Sequence, residues 1–313
     1  MPDTKSKSNA TLVIGTGELG MSMLHALTGE GRSQGETFSV LLRPMAPERA
    51  SADQQATLDA LRDRDVRIVH ADLAADSEDD LAAVFSNFAT VICCTGFVAG
   101  RGTQRKITSA VLKAGVDRYV PWQFGVDYDV VGRGSGQDVF DEQSDVRDML
   151  RAQSRTHWVI VSTGMFTSFL FEPAFGVVDF RNARVHALGS WDHRVTVTTP
   201  EDIGRLTVAI LRHDPKIIDR VVFVAGDTVT YRELADKVER HLGRPVERVL
   251  WSMDTLRAEV DRHPDDAMRK YHLGFARATG VAWDRSSTFN VEQRLEVVDI
   301  TTWLQQQATS APS

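Results

Sequence analysis

Between residues 11 and 226 the chain alternates between two kinds of hydrophobic pattern. Short, almost continuously apolar runs rich in Val and Ile occur at TLVIGTG (11–17), FSVLLR (38–43), VRIVHAD (66–72), TVICCTG (90–96), RYVPWQFG (118–125), HWVIVSTG (157–164) and RVVFVAG (220–226). Unbroken hydrophobicity over so short a run marks a strand covered on both faces, the condition of a parallel sheet. Between these runs lie helix-like segments such as EDDLAAVFSNF and TQRKITSAVLKAG, the second closed by Gly115 as a C-cap. Strand and helix in regular alternation predict a doubly wound α/β sheet.

From about residue 166 the rhythm changes. FRNARVHALGSWDHRVTVTT predicts short strands joined by a Gly-containing turn, and PEDIGRLTVAILRHD a helix opened by Pro200. VTYRELADKVERHLG (229–243) predicts another amphipathic helix. The expected division is a nucleotide-binding domain over 11–165 and a smaller, mixed α/β substrate domain over 166–313, with strand 220–226 returning to the main sheet.

Composition narrows the function classes. At 313 residues, 42% hydrophobic and 25% charged, the chain reads as an ordinary soluble protein, large enough for a main and a smaller domain. A formal net charge of −7 argues against a nucleic-acid surface, and no run of 18 apolar residues offers a membrane span. The first ten residues, MPDTKSKSNA, are polar and read as a loose tail without a signal core. The two cysteines, Cys93 and Cys94, are neighbours on a strand and point to opposite faces, which disfavours a bridge and fits a reducing cytoplasm.

GTGELG (15–20) matches G-x-G-x-x-G, directly after the first strand and opening the helix ELGMSMLHALTG. Gly15 allows a tight turn, Gly17 lets backbone approach a pyrophosphate, and Gly20 lets helix and strand pack closely. Thr16, Glu18 and Leu19 complete the loop, and the helix N-terminus faces the phosphates. The sheet is therefore expected to be of the Rossmann, dinucleotide-binding type. An NAD-selective site puts an acid at the end of the second strand to hold the ribose 2′-hydroxyl. Here Arg43 ends that strand, 23 residues past Gly20. A guanidinium grips a 2′-phosphate with parallel hydrogen bonds, whereas an acid repels it. The expected cofactor is NADPH; the alternative is an arginine that simply faces solvent.

Other chemistries lack their residues. The nine histidines show no tight metal-ligand spacing. GRGSG (132–136) fails as a nucleophile elbow, because Arg133 and Gln137 stand where glycines are needed, and it reads better as a mobile loop over residues 128–137. No tyrosine is followed four residues later by lysine: Tyr119, Tyr128, Tyr231 and Tyr271 are followed by Gln123, Gly132, Ala235 and Phe275.

GTGELG, Arg43, ICCTG, QRKITSAVLKAGVDRYVPWQFGVD, VFDEQSDVRDML and VIVSTGMFTSF follow one another as in NmrA-like atypical short-chain dehydrogenases. Within them the chain resembles the isoflavone reductase and phenylcoumaran benzylic ether reductase group. VTTPEDIGRL and YRELADKVERHLGRPVERV extend the resemblance from residue 11 to about 300. It implies an NADPH-dependent reductase of small aromatic, phenylpropanoid-like compounds. It places Cys94, Thr95 and Gly96 against the cofactor, with Trp122, Gln123 and Phe124 and then Gly164, Met165 and Phe166 near the nicotinamide. Two departures stand out. Trp122 and Gln123 replace the serine and glutamate of a P-S-E-F-G stretch. The proton-handling lysine of V-F-x-x-K-x-x-V-R is Gln143, one helical turn before Arg147. An amide donates hydrogen bonds but does not titrate.

Two readings follow. The first is a reductase that orients an aromatic substrate with Gln143 as a neutral donor, the proton coming from water, Tyr128, Asp127 or Glu142. The aromatic residues Phe166, Phe169, Phe171, Phe175, Phe180 and Trp191 either line a pocket for a flat substrate or pack a core. The second is an NADP-sensing regulator that binds a partner protein without turnover, as NmrA-type proteins are.

Overall fold

The computed structural model describes residues 9–29, 32, 34–44, 51–96 and 100–310. Residues 1–8 of the expected N-terminal tail lie outside the described residues. The chain opens with β1 (Ala10–Ile14), α1 (Glu18–Thr28), β2 (Thr37–Leu42), α2 (Ala52–Asp63), β3 (Val66–His70), α3 (Glu78–Phe85), β4 (Thr90–Cys93), α4 (Thr103–Ala114) and β5 (Arg118–Val120). It continues with α5 (Tyr128–Val131), α6 (Asp138–Arg151), β6 (His157–Ser162), β7 (Met165–Phe166), α7 (Thr167–Leu170), β8 (Val178–Asp179), β9 (Arg184–Leu188), β10 (Arg194–Thr198), α8 (Pro200–Arg212) and β11 (Arg220–Phe223). After these come β12 (Asp227–Thr230), α9 (Tyr231–Leu242), β13 (Glu247–Trp251), α10 (Met253–Arg262), α11 (Ala267–Phe275), α12 (Phe289–Glu292) and α13 (Ile300–Ser310).

All seven apolar runs enter one seven-stranded sheet of order β11-β6-β5-β4-β1-β2-β3. The pairings from β3 through β2, β1, β4 and β5 to β6 are parallel. β1 lies inside the sheet between β4 and β2, with Leu12 opposite Ser39 on one side and Val91 on the other. Leu12, Ile14, Leu41, Val91, Cys93 and Tyr119 share a buried cluster with Leu81 and Phe85 of α3 and Ile107 and Val111 of α4. The helices begin where the sequence supplies caps: Ser51 with Gln54 and Ser77 with Asp80 form reciprocal capping boxes. The run RYVPWQFG is strand only to Val120, because Pro121 has no N–H for the ladder.

The chain divides into two units, each assembled from separate stretches of sequence. One holds the described residues up to Gln123 with Asp145–Ile160 and Gly204–Val221; the other holds Phe124–Ser144, Val161–Ile203 and the chain from Val222 onward. The second unit contains two three-stranded sheets, β12-β10-β7 and β13-β9-β8. β9 and β10, expected as neighbours across a turn, do not pair. β10 is taken up by β12 (Val195 opposite Val229) and β7 (Val197 opposite Met165), β9 by β13 and β8. The turn between them, with Gly189 at φ +76°, passes the chain from one sheet to the other.

The glycine-rich segment expected to be mobile is tethered. Gly132, Gly134 and Gly136 all take positive φ (+71°, +69° and +90°), which explains the glycines. Arg277 donates to the carbonyls of Val131 (3.2 Å) and Ser135 (3.0 Å), and Gly134 N–H donates to the Asp141 carboxylate at 2.9 Å. The tether comes from a residue more than 140 positions away, beyond the reach of local composition.

Candidate functional site

In the first unit, the corner between β1 and α1 uses its glycines in two ways. Gly15 has φ +101°, and a Cβ there would lie 3.2 Å from Thr95 Cβ; a Cβ on Gly20 would collide with the Gly15 carbonyl. Packing within the protein demands both. Gly17 is different: it caps α1 without a side-chain hydrogen bond, and a Cβ there would meet nothing within 4 Å. The missing side chain therefore keeps open the space in front of a helix N-terminus, where backbone N–H groups favour an anion. Leu19 turns into the core, 3% exposed, while Glu18 is exposed and Thr16 half-buried. These residues fit the phosphates of a dinucleotide.

Arg43 follows β2 and is 70% exposed at its side chain, with Nε 3.3 Å from Asp72 Oδ2. The sequence reading anticipates no acid beside Arg43; Asp72 arrives from the end of the adjacent strand β3. Its Oδ1 accepts from Ala74 N–H (2.9 Å) and Ala75 N–H (3.2 Å). Those two bonds, then the charge of Arg43, hold the Asp72 carboxyl below its ordinary range.

The loop after β4 forms another wall. Burial pushes Cys93 up to about 12 and Cys94 well above its usual value, so neither is a thiolate at neutral pH. Both are free and buried. Gln104 on α4, 1% exposed, donates through Nε2 to the carbonyls of Thr95 (2.9 Å) and Gly96 (2.8 Å). Sequence reasoning missed it, although a glutamine in register with Ile107, Thr108 and Val111 on the buried face of α4 was a readable signal. The Trp122 ring covers Gly96, where a Cβ would lie 3.1 Å from Cζ2. Gln123 accepts at Oε1 from Arg147 Nε at 2.8 Å, both residues 1% exposed. That bond gives Gln123 a structural partner at the position where the resemblance implies cofactor contact.

In the second unit Phe124 and Met165 are buried, Phe166 is half-buried, and Gly125 O accepts from both Thr163 N–H and Gly164 N–H at 3.0 Å. Gly164, at φ +75°, packs directly on Thr196 of β10. Tyr128 is 5% exposed with its hydroxyl against Gly125, so Phe124, Gly125, Tyr128 and Gly164–Phe166 form one group. Gln143 lies fully buried on α6, one turn before Arg147. Among the aromatic candidates, Phe171 stacks between Phe180 (5.7 Å) and Trp303 (4.7 Å), and Phe175 is fully buried. These pack a core. Phe166, Phe169 and Trp191 remain half-buried. Among the described residues no cluster of three His, Cys, Asp or Glu side chains could hold a metal ion, and no helix is long and apolar enough to cross a membrane.

An NmrA-like oxidoreductase of Gibberella moniliformis (strain M3125 / FGSC 7600) is 41% identical over 298 residues, covering 95% of this chain and 97% of its own. The isoflavone reductase homolog P3 of Arabidopsis thaliana is 24% identical, covering 82% of each chain. Among solved structures, the leucoanthocyanidin reductase–NADPH complex of Vitis vinifera superposes with a TM-score of 0.78 at 17% identity, covering 96% of this chain and all of the other. The model of the NmrA-like family matches residues 6–289, so this chain belongs to the NmrA-like family.

Proposed function

We propose that this chain is an NADPH-dependent oxidoreductase that reduces a small aromatic, phenylpropanoid-like compound at a carbonyl, enone or benzylic carbon. The observation that carries the cofactor half is the β1–α1 corner. Gly15 and Gly20 are fixed by packing, Gly17 opens onto empty space, and Arg43 ends the next strand. NADPH, when bound, supplies the hydride. The backbone of Gly15–Gly20 holds phosphate, and Arg43 holds the 2′-phosphate that separates NADPH from NADH. The substrate half draws on relatives named for reduction of isoflavones and leucoanthocyanidins, and on the half-buried Phe166, two residues after the Gly164 that bonds to Gly125. Gln143 serves as a neutral hydrogen-bond donor to a developing oxyanion, and Tyr128 is the first candidate to give the proton.

A second reading, an NADP sensor without turnover, draws on the resemblance: the position at which it implies a proton-handling lysine carries Gln143, a residue with no acid function. The test is consumption of NADPH by the purified protein against aromatic aldehydes, ketones, enones and benzylic ethers. Turnover with any of them supports the reductase. Tight NADPH binding with no turnover across the panel supports the sensor.

A further inference from the structure

The exposed arginine at the end of β2 has a long, rotatable side chain that must be ordered before it can clamp a phosphate. The structure already holds it. Asp72 uses its two carboxylate oxygens for separate tasks: Oδ1 takes the N–H groups of Ala74 and Ala75, while Oδ2 faces Arg43 Nε at 3.3 Å. The turn carrying Asp72 is braced a second time, since Lys106 of α4 donates through Nζ to the carbonyls of Leu73 (2.9 Å) and Ala74 (3.2 Å), and Asp72 N–H donates to Asp76 at 2.8 Å. A guanidinium presents N–H groups along more than one edge. An acid on the Nε edge leaves the edge formed by the two terminal nitrogens for paired phosphate oxygens.

We infer that Asp72 is a positioning residue for cofactor selectivity: it pre-orients Arg43 so that its terminal nitrogens form the 2′-phosphate clamp. Selectivity then resides in an Arg43–Asp72 pair rather than in the arginine alone, and Lys106 supports it through the Leu73–Ala74 turn. Asp72 also carries a negative charge that opposes the phosphate. It faces the Nε edge of a guanidinium whose side chain is 70% exposed, where solvent screens such repulsion, so ordering dominates.

The inference rests on the NADPH reading, and the two separate in one titration series. Binding of NADPH and NADH is measured for the unaltered protein, Asp72→Asn and Arg43→Ala. The unaltered protein binding both cofactors equally would overturn the NADPH reading itself. If it prefers NADPH and Arg43→Ala abolishes the preference, that reading holds and Asp72→Asn decides the inference. The expected result is NADPH affinity weakened roughly fivefold, part of the ordering cost of one arginine, with NADH affinity unchanged. A purely structural role would move both cofactors together, and NADPH binding as tight as or tighter than in the unaltered protein would make Asp72 a bystander; either result overturns the proposal.

Discussion

At the level of single residues, the three glycines of the β1–α1 corner separate fold from function. Gly20→Ala forces a Cβ into the Gly15 carbonyl, so it should lower the melting temperature and abolish nucleotide binding together. Gly17→Ala places its methyl in open space and should cost no more than about 1 kcal/mol of stability, while nucleotide affinity falls sharply. Thermal melts paired with NADPH titration check both; a Gly17→Ala protein that binds NADPH normally would remove the phosphate cradle from the account. Gln143→Ala should reduce turnover by about 10²-fold, the usual cost of one oxyanion donor, with NADPH affinity nearly unchanged. Tyr128→Phe, measured beside it, reports on the proton. Turnover that survives Gln143→Ala would make that buried amide a packing residue.

At the level of elements, the strands and most helices were legible because each carries its own local signal. A parallel strand buried on both faces reads as an apolar run, and α3 and α9 start at Ser77 and Thr230 with an acid three residues on. Partners distant in sequence were not legible. Nothing in FRNARVHALGSWDHRVTVTT tells β9 to pair with β13 instead of β10. Nothing in GRGSG announces Arg277, and nothing around Arg43 announces Asp72. Arg43 itself was readable, since cofactor choice is written at a fixed place in the fold, whereas the acid that orients it comes from another strand. The tethering of residues 131–137 has a direct consequence. Arg277→Ala should speed amide hydrogen exchange across Gly134–Gln137 several-fold while α9 keeps its protection. Unchanged exchange there would show that Arg277 is not what holds the segment.

At the level of the whole molecule, two histidines, one buried and one half-buried, tie stability to pH. His272 donates toward the Phe175 carbonyl at 2.6 Å and His186 toward the Gly176 carbonyl at 2.7 Å, and burial holds both imidazoles below their ordinary value of 6.5. Well above pH 6.5 both are neutral, folded or unfolded, and add no pH dependence. As pH falls below that value the unfolded chain takes up protons that the folded chain resists, so stability should fall. Melting temperatures measured from about pH 7.5 to 5.5 should drop, and less steeply in His272→Gln. An equal slope in the variant would assign the acid sensitivity elsewhere.

The central claim is that hydride leaves the cofactor for a carbonyl, enone or benzylic carbon of an aromatic substrate. The direct measurement uses NADPH deuterated at the transferring position of its nicotinamide, incubated with the purified protein and each member of the aromatic panel, with products read by mass spectrometry. The account predicts one product carrying a single deuterium, formed with NADPH in preference to NADH. Saturating NADPH binding with no deuterium in any product would contradict it and leave the chain as a dinucleotide sensor.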